Sequence, residues 1–533
     1  MFRVDRARFV GFRLYSGTAC LRQQAEVTLD FGKRNEIILR SLNRFYPSVS
    51  TLARPTATIH EFGAKYKDIY EDQPHVIEVL RGKIKSVRVA GKNMCFVNVT
   101  ALHAELQLIL NFKVMHKAQH HVDTELTSEA FQASIQNLRP GDHIQAVGFP
   151  GLSQRQRTLS LKCISPAQTL APAQLPVPPR LVDPVKRKQN RVLDYLVNGH
   201  QALVVRHRTV KAIRRFLDAR EFLEVETPMM SAQSNGAAAE PFETRSKALH
   251  QKLQLRIAPE LWLKRLVVAG CERVYEIGKV FRNEGIDATH NAEFTTLEFY
   301  QAYASMEDLI TMSEQLYRYV LEDAQTLAAA RLLQEFSENR FCFRRVEFLA
   351  TLSRETGVEF EKLDLQDAGA MRQALQQRGL DAPSECASPQ QMLNYLCGKY
   401  IEDKYCQGSL PTLIFHHPTV MSPLAKGNTA DNMKTSKRFE VFIRGKEYIN
   451  AYEEENCPQQ QLAKFKAQQA ARATYGDQES LQIDENYVDA MKWGMPPIGG
   501  FGLGIDRLCM LLTDSKRIEE VLSFGSLDDV NRQ

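Results

Sequence analysis

Phe281 to Tyr300 reads FRNEGIDATHNAEFTTLEFY, a pattern that predicts a strand, a loop and a second strand. Side chains alternate faces along a strand, so Phe294, Thr296, Glu298 and Tyr300 share one surface while Leu297 and Phe299 point to the other. On the first strand Arg282 and Glu284 share a parity, with Phe281 available to anchor the core side. An arginine fork suits phosphate or carboxylate because its planar donors bind bidentately, and a phenylalanine face suits a purine. A solvated hairpin with a few ion pairs is built from the same residues, so these twenty positions alone leave two readings open.

Flanking stretches extend the pattern. Upstream, Arg206 to Glu221 carries Val210, Ile213, Phe216 and Leu217 at helical spacing and leads into FLEVETP, which ends at Pro228. Downstream, GGFGLGIDRL from Gly499 to Leu508 combines glycines that admit a close ligand with a helix start that favours an anion. RIAPELWLKRLVVAG from Arg256 to Gly270 predicts a helix with Pro259 at its first position and Gly270 just past its end.

Taken in order, the three stretches resemble motifs 1, 2 and 3 of the class II aminoacyl-tRNA synthetases. Within that class RIAPELWLKRLVVAG, SPLAK at Ser422 to Lys426, RFEVFIRGKEYINAY at Arg438 to Tyr452 and MPPIGGFGLGIDRL are similar to the lysyl family. The resemblance implies an α+β fold, in which an antiparallel sheet flanked by helices forms the catalytic domain behind an amino-terminal OB barrel. It also implies ligation of lysine to tRNA(Lys) through a lysyl-adenylate, with ATP as substrate, Mg2+ as cofactor and a homodimer through motif 1.

The implied roles fall on individual residues. Arg282 takes the α-phosphate and bridges to the lysine carboxylate, and Arg507 takes the γ-phosphate. Phe294 stacks adenine, with Glu284 and His290 flanking base and phosphates and Gly504 beside them. Glu440 and Glu447 resemble the magnesium ligands; oxygen ligands shared with phosphates and water are what that ion prefers. Glu260 and the backbone near Gly236 face the α-ammonium, Tyr300 and Glu454 the ε-ammonium, with Glu298 and Asn450 completing the lysine site. A dicationic substrate needs acidic groups, each charged hydrogen bond being worth on the order of 1.5 to 3 kcal/mol once water is excluded. Without the family phrases, Glu260 and Glu454 read equally as surface carboxylates, and His290 as a histidine that orders its loop. Glu447 and Asn450 are three apart and cannot share a face of a regular strand, so their joint assignment demands a bulge or a strand end.

HVIEVLRGKIKSVRVAGKNMCFVNVT, beginning at His75, and ELQLILNFKV after it have the look of several short strands, alternating from Cys95 to Val99. In position and order this resembles the family's anticodon-binding OB barrel, with Phe96 as the stacking candidate and Gln107 as a base-edge partner. A barrel-core role is the alternative for Phe96. The segment MFRVDRARFVGFRLYSGTACLRQQ is rich in arginine and hydroxyl groups and reads as a mitochondrial transit segment cleaved before Ser16, implying the matrix. A basic arm that touches tRNA is its rival. Cleavage there removes Arg3, Arg6, Arg8 and Arg13 against Asp5, lowering the net charge from +5 by 3 to +2. Overall charge is then no argument for RNA binding.

The expected organisation is a transit segment at 1–22, a helical region at 23–70, the OB domain at 71–170, a proline-rich linker at 171–190 and the catalytic domain at 191–533 with an insertion at about 351–405. With 533 residues there is material for two to four domains. No apolar run approaches the ~20 residues that span a bilayer. The ten cysteines show no CxxC pairing, and the His120/His121 and His416/His417 pairs lack a third ligand at metal spacing, so both pairs read as non-functional. Asn235 and Glu240 depart from the family's usual Gly-Gly-Ala-basic segment, as does GNTADNMKTSKRF after SPLAK. An aspartyl or asparaginyl enzyme and a non-catalytic RNA-binding protein are the competing functions.

Overall fold

A computed structural model describes residues 31–101, 104–118, 126–154, 156–233, 236, 239–476 and 482–531. The arginine-rich leader, His120, His121 and Asn235 lie outside the described residues. The chain divides into two units, the first ending at Gly199 and the second starting at His200.

In the first unit, β1 (Glu78–Val89), β2 (Met94–Ala101), β3 (Ala104–Asn111), β4 (His143–Leu152), β5 (Leu159–Cys163) and β6 (Gln168–Ala171) form a six-stranded sheet ordered β1-β2-β3-β5-β4-β6. β1 also pairs with β4, which closes the first five strands into a barrel consistent with an OB fold. Alternation explains its interior. Cys95, Val97 and Val99 are buried while Phe96 and Asn98 take the other parity. Phe96 therefore is not a barrel-core residue; the Arg88 guanidinium lies 4.5 Å from its ring centroid. Gln107 pairs with Asn98 on that same outer face, and its amide oxygen accepts from Ser160 Oγ at 3.5 Å. After β6, the prolines keep 172–183 out of helix and strand, and Asp183 then caps a helix at Pro184–Gln189 whose first residue is Pro184.

The second unit opens with the helix Gln201–Asp218, which buries Val205, Ala212, Ile213, Phe216 and Leu217; Val210 is only partly covered. FLEVETP forms just a two-residue strand, β7 (Leu223–Glu224). A small sheet of β8 (Met230–Ser231), β9 (Glu243–Ser246) and β10 (Gln251–Leu255) follows, then the helix Glu260–Val268. Pro259 sits one position earlier than expected, at the cap of that helix, and Gly270 has φ +101° just beyond its end.

Eight strands make the main sheet, in the order β13-β14-β15-β16-β17-β12-β11-β7. They are β11 (Arg273–Phe281), β12 (Glu293–Ala302), β13 (Arg344–Glu347), β14 (Thr412–Phe415), β15 (Arg438–Ile443), β16 (Lys446–Glu453) and β17 (Ile498–Gly504), with β7 at the edge. The strands β14 to β11 in that order pair antiparallel, while β13 and β7 join the two sides in parallel. One face is apolar. Leu297, Phe299, Val441, Ala451, Phe501 and Leu503 pack there against the helices Gln201–Asp218, Met306–Ala324 and Ile505–Thr513, with the Phe299 and Phe501 rings stacked at 4.4 Å. The opposite face carries the polar residues of the same strands.

Between β13 and β14 lies a helical insertion, with helices at Phe348–Thr356, Ala368–Gln376 and Pro389–Cys397 and a π-helical turn at Gly398–Glu402. Leu352, Met371, Leu375, Met392, Leu393 and Leu396 give it a core of its own.

Candidate active site

The polar face of the sheet floors a cavity of about 740 Å³. β12 supplies Phe294, Thr296, Glu298 and Tyr300 to its wall, every second residue of the strand, while Leu297 and Phe299 are fully buried in the core behind. Gly236, Glu260, Arg282, Glu284, His290, Glu440, Glu447, Asn450, Gly504 and Arg507 also line it. Glu454 lies just behind the wall, where a side chain on Gly500 would run into its Oε1.

A bulge reconciles the β16 residues. Val441 pairs with Ile449 but Phe442 pairs with Glu447, leaving Tyr448 as an extra residue. That one insertion turns Glu447 back to the face carrying Asn450, so both reach the cavity.

Around the helix Glu260–Val268 the carboxylates are tied to a cation. Lys264, one helical turn past Glu260 and fully buried, contacts Glu260 Oε1 at 2.5 Å and pairs with Glu454 Oε2. Tyr452 donates its hydroxyl to Glu260 Oε1 at 2.8 Å, and Tyr300 donates to Glu298 Oε2 at 3.1 Å. Burial works against charge on Lys264, but Glu260 and Glu454 outweigh it and hold the ammonium protonated. Burial likewise pushes Glu454 up, opposed by Lys264. Glu298 has no such partner. Burial, then the neighbouring Glu260, push it up to about 8 against the pull of Tyr300 and Arg282. Gly236 closes this end: at φ +106° its backbone lies so near that a Cβ would stand 3.3 Å from that of Glu260.

Around the motif 2 loop the cations are less satisfied. The Arg282 guanidinium lies 5.3 Å from the Phe294 ring centroid, and its buried Nε has no hydrogen-bond partner among the described residues. Arg507, in the first turn of the helix Ile505–Thr513, donates to the Glu447 carbonyl at 2.8 Å and lies 2.7 Å from His290 Nε2. His290 Nδ1 is 2.8 Å from Asp287 Oδ2, while Asp287 Oδ1 accepts from the backbone N–H of Thr289 and of His290. Since Arg507 can only donate, Nε2 accepts and Nδ1–H donates to Asp287. His290 therefore orders its loop and also steadies Arg507.

Glu440 and Glu447 differ in charge environment. Burial opposes ionisation of Glu440, yet Arg438 at 2.5 Å and His417 at 3.3 Å hold it down at about 2. Burial and then Glu440 push Glu447 up to about 7, with Arg507, Arg438 and Arg282 opposing. Two adjacent carboxylates that repel in this way form a donor set suited to a hard divalent cation. No group of three or more His, Cys, Asp or Glu able to hold a metal occurs among the described residues. Arg438 Nε also donates to Asn450 Oδ1 at 3.1 Å, leaving the Asn450 amide nitrogen as a donor.

The family model for class II tRNA synthetases (D, K and N) matches residues 183–528. The chain belongs to that class. Among the curated relatives of this class II synthetase, the mitochondrial lysine–tRNA ligase of Saccharomyces cerevisiae is 45% identical over 94% of the chain and 92% of its own length. The mitochondrial lysine–tRNA ligase of Schizosaccharomyces pombe is 36% identical over 94% of each chain, and lysine–tRNA ligase cla4 of Cladosporium cladosporioides is 36% identical over 95% of the chain and 86% of its own length.

The synthetase site also contains residues that sequence reasoning passed over. His417, read as non-functional, is buried in the cavity wall beside Glu440. Tyr452 and Arg438 sit inside a quoted family phrase without an assigned part. Lys264 had a visible signal, the Glu-x-x-x-Lys spacing of ELWLK that puts both charges on one helix face. Gln390, Asn394 and Cys397 of the insertion reach the cavity wall, and no motif marks them. Glu240 is exposed, and its carbonyl accepts from the Asn283 N–H at 2.8 Å, so it braces the start of the motif 2 loop through its backbone.

Proposed function

We propose that this chain ligates L-lysine to tRNA(Lys) through a lysyl-adenylate, for protein synthesis in mitochondria. The observation that carries this reading is the surplus of carboxylates at the amino-acid end of the cavity: Glu260, Glu298 and Glu454 gather there, and among the described residues Lys264 is ion-paired with only the first and last of them. Two formal negative charges remain for the two ammonium groups of lysine. An aspartate or asparagine pocket needs cations or neutral donors where these carboxylates stand.

In the first step a lysine carboxylate oxygen attacks the α-phosphorus of ATP and pyrophosphate leaves. In the second a terminal ribose hydroxyl of the tRNA attacks the lysyl carbonyl and AMP leaves. The protein contributes positioning and charge cancellation. Arg282, unpartnered at Nε, is suited to hold the lysine carboxylate against the α-phosphate. Arg507, steadied by His290 and the Glu447 carbonyl, is placed for the γ-phosphate, and Phe294 offers a ring for adenine with Glu284 and Gly504 beside it. Glu298, Tyr300, Asn450 and the backbone at Gly236 orient the lysine. Glu440 and Glu447 would hold Mg2+, which when bound supplies neutralisation of the phosphate oxygens.

The barrel, taken as residues 71–170, is read as the anticodon-binding OB domain, with Phe96 stacking a base and Gln107 reading a base edge. Residues 171–190 serve as linker and 191–533 as the catalytic domain, with 351–405 inserted. The helix Gln201–Asp218 and the exposed Leu223, Met229 and Met230 supply a surface for a homodimer. Residues 1–22 would direct the chain to the matrix. Among the described residues no helix is long and apolar enough to cross a membrane.

Amino-acid-dependent ATP–pyrophosphate exchange tests the reading. Activity with lysine and none with aspartate or asparagine is expected. Exchange driven by aspartate alone, or no exchange with any amino acid, overturns it.

A further inference from the structure

Lys264 lies outside the cavity wall, fully buried, on the far side of the carboxylates it contacts. It takes one oxygen from each of them, Oε1 of Glu260 and Oε2 of Glu454. Glu454 Oε1 remains buried without a hydrogen-bond partner among the described residues, directly behind the glycine backbone of Gly500 that lines the cavity. The phenol rings of Tyr300, Tyr452 and Tyr487 surround the ammonium at 5.8, 5.5 and 5.9 Å. These rings keep water from it, and an ammonium among aromatic faces is further stabilised by their quadrupoles.

We infer that Lys264 is a specificity-determining positioning residue: a permanent internal counter-ion that pairs with Glu260 and Glu454 from behind and leaves one oxygen of each for the substrate's ammonium groups. The inference rests on the lysine reading above and deepens it. Because Lys264 does not enter the cavity, it is not a plug displaced by substrate. Its work is to set the charge of the empty pocket. With Lys264 in place the three carboxylates, once Glu298 gives up its proton, leave two negative charges for a dication; without it they carry a charge too many, and the site must take up a further proton that lysine then has to expel. The charged and titratable groups facing the cluster are Glu260 on its own helix, Glu298 and Tyr300 on β12, Tyr452 and Glu454 at β16, Tyr487 on the helix Glu485–Met491, and Lys464, which also acts on Glu454.

The experiment is calorimetric titration of lysine into the full chain and its Lys264→Met and Lys264→Arg variants, in buffers of different ionisation enthalpy that count protons released. Steady-state exchange kinetics accompany it. Lys264→Met is expected to raise the KM for lysine on the order of 100-fold, as loss of a charged buried contact does. Its KM for ATP should stay within about twofold, and it should release one proton more per lysine bound than the parent chain. A purely structural role would lower stability and activity without adding that proton. Lys264→Arg keeps the charge and is expected to retain the parent proton count even where its lysine KM changes. An unchanged proton count in Lys264→Met, or an altered one in Lys264→Arg, overturns the inference; should the methionine variant fail to fold, the arginine variant decides it alone. If the parent chain shows no lysine-dependent exchange, the lysine reading itself has failed, which is a different result.

Discussion

The region around Lys264 and the region around Arg507 border the same cavity but are finished to different degrees. At Lys264 the carboxylates already have a cation, and Tyr300 and Tyr452 are bonded to Glu298 and Glu260. Among the described residues only Glu298 is left without an ion-paired cation, and burial raises its carboxyl. At Arg507 the opposite holds: Arg282 carries a buried nitrogen without a partner among the described residues, and Glu447 is kept from ionising at ordinary carboxylate pH by burial and then by Glu440 beside it. One region is assembled before its ligand arrives. The other is arranged for polyanion and cation together, which fits a site where most of the catalytic electrostatics must match a transferring phosphoryl group.

The contrast is open to attack. Removing a nucleotide-side cation should have the largest effect, because cancelling charge on the phosphate oxygens is the main catalytic demand. Arg282→Ala or Arg507→Ala is expected to lower lysine-dependent exchange by about 10³-fold or more, with the quaternary state unchanged by sedimentation. Near-normal exchange in either would remove the phosphate role. Next comes Gly500→Ala, which pushes a methyl group into Glu454 Oε1 and to within 2.6 Å of a Tyr300 ring carbon. A rise in lysine KM on the order of 100-fold with little change in ATP KM is expected; an equal rise in both constants would mean that the two regions are not separable.

A smaller effect follows from Glu298. Its carboxyl is raised to about 8, so the empty site keeps its proton below that pH and must lose it to accept an ammonium. Lysine affinity should therefore increase with pH up to about 8, by at most about tenfold per unit, and level off above. Stability moves with the opposite sign: the folded state binds the proton more tightly than the unfolded chain, so this group's contribution falls as pH rises toward 8. Glu298→Gln should flatten the affinity profile, and a profile that keeps its slope would assign the proton elsewhere. The mildest change expected is His290→Ala. It removes one support from Arg507 while the Glu447 carbonyl contact stays, and should raise the KM for ATP by about tenfold or less.

Much of this is legible in the sequence, and the limits are physical. Strand parity was enough to sort Phe294, Thr296, Glu298 and Tyr300 from Leu297 and Phe299, because the period of two survives in any sheet. Parity also bore on Phe96 once the buried set Cys95, Val97 and Val99 fixed which face of β2 was inside. The conflict between Glu447 and Asn450 was visible as a demand for a bulge, although not where the extra residue would fall. What local pattern does not carry is contact between distant segments. Lys264 and Glu454 are 190 positions apart, and the pairing of His417 with Glu440 spans a loop that joins β14 to β15. The insertion's Gln390 and Asn394 reach the cavity through tertiary packing that leaves no local signature.

The bulged residue Tyr448 sets a limit on how this enzyme can change in length. Inserting one residue into β15 between Val441 and Phe442, opposite Tyr448, would restore strict alternation to the pair of strands and rotate Lys446, Glu447 and the turn before them by half a revolution, carrying Glu447 into the apolar layer and bringing Tyr448 out. Loops elsewhere can gain or lose residues at modest cost. At this one point a single-codon insertion would exchange the inside of the molecule for its outside.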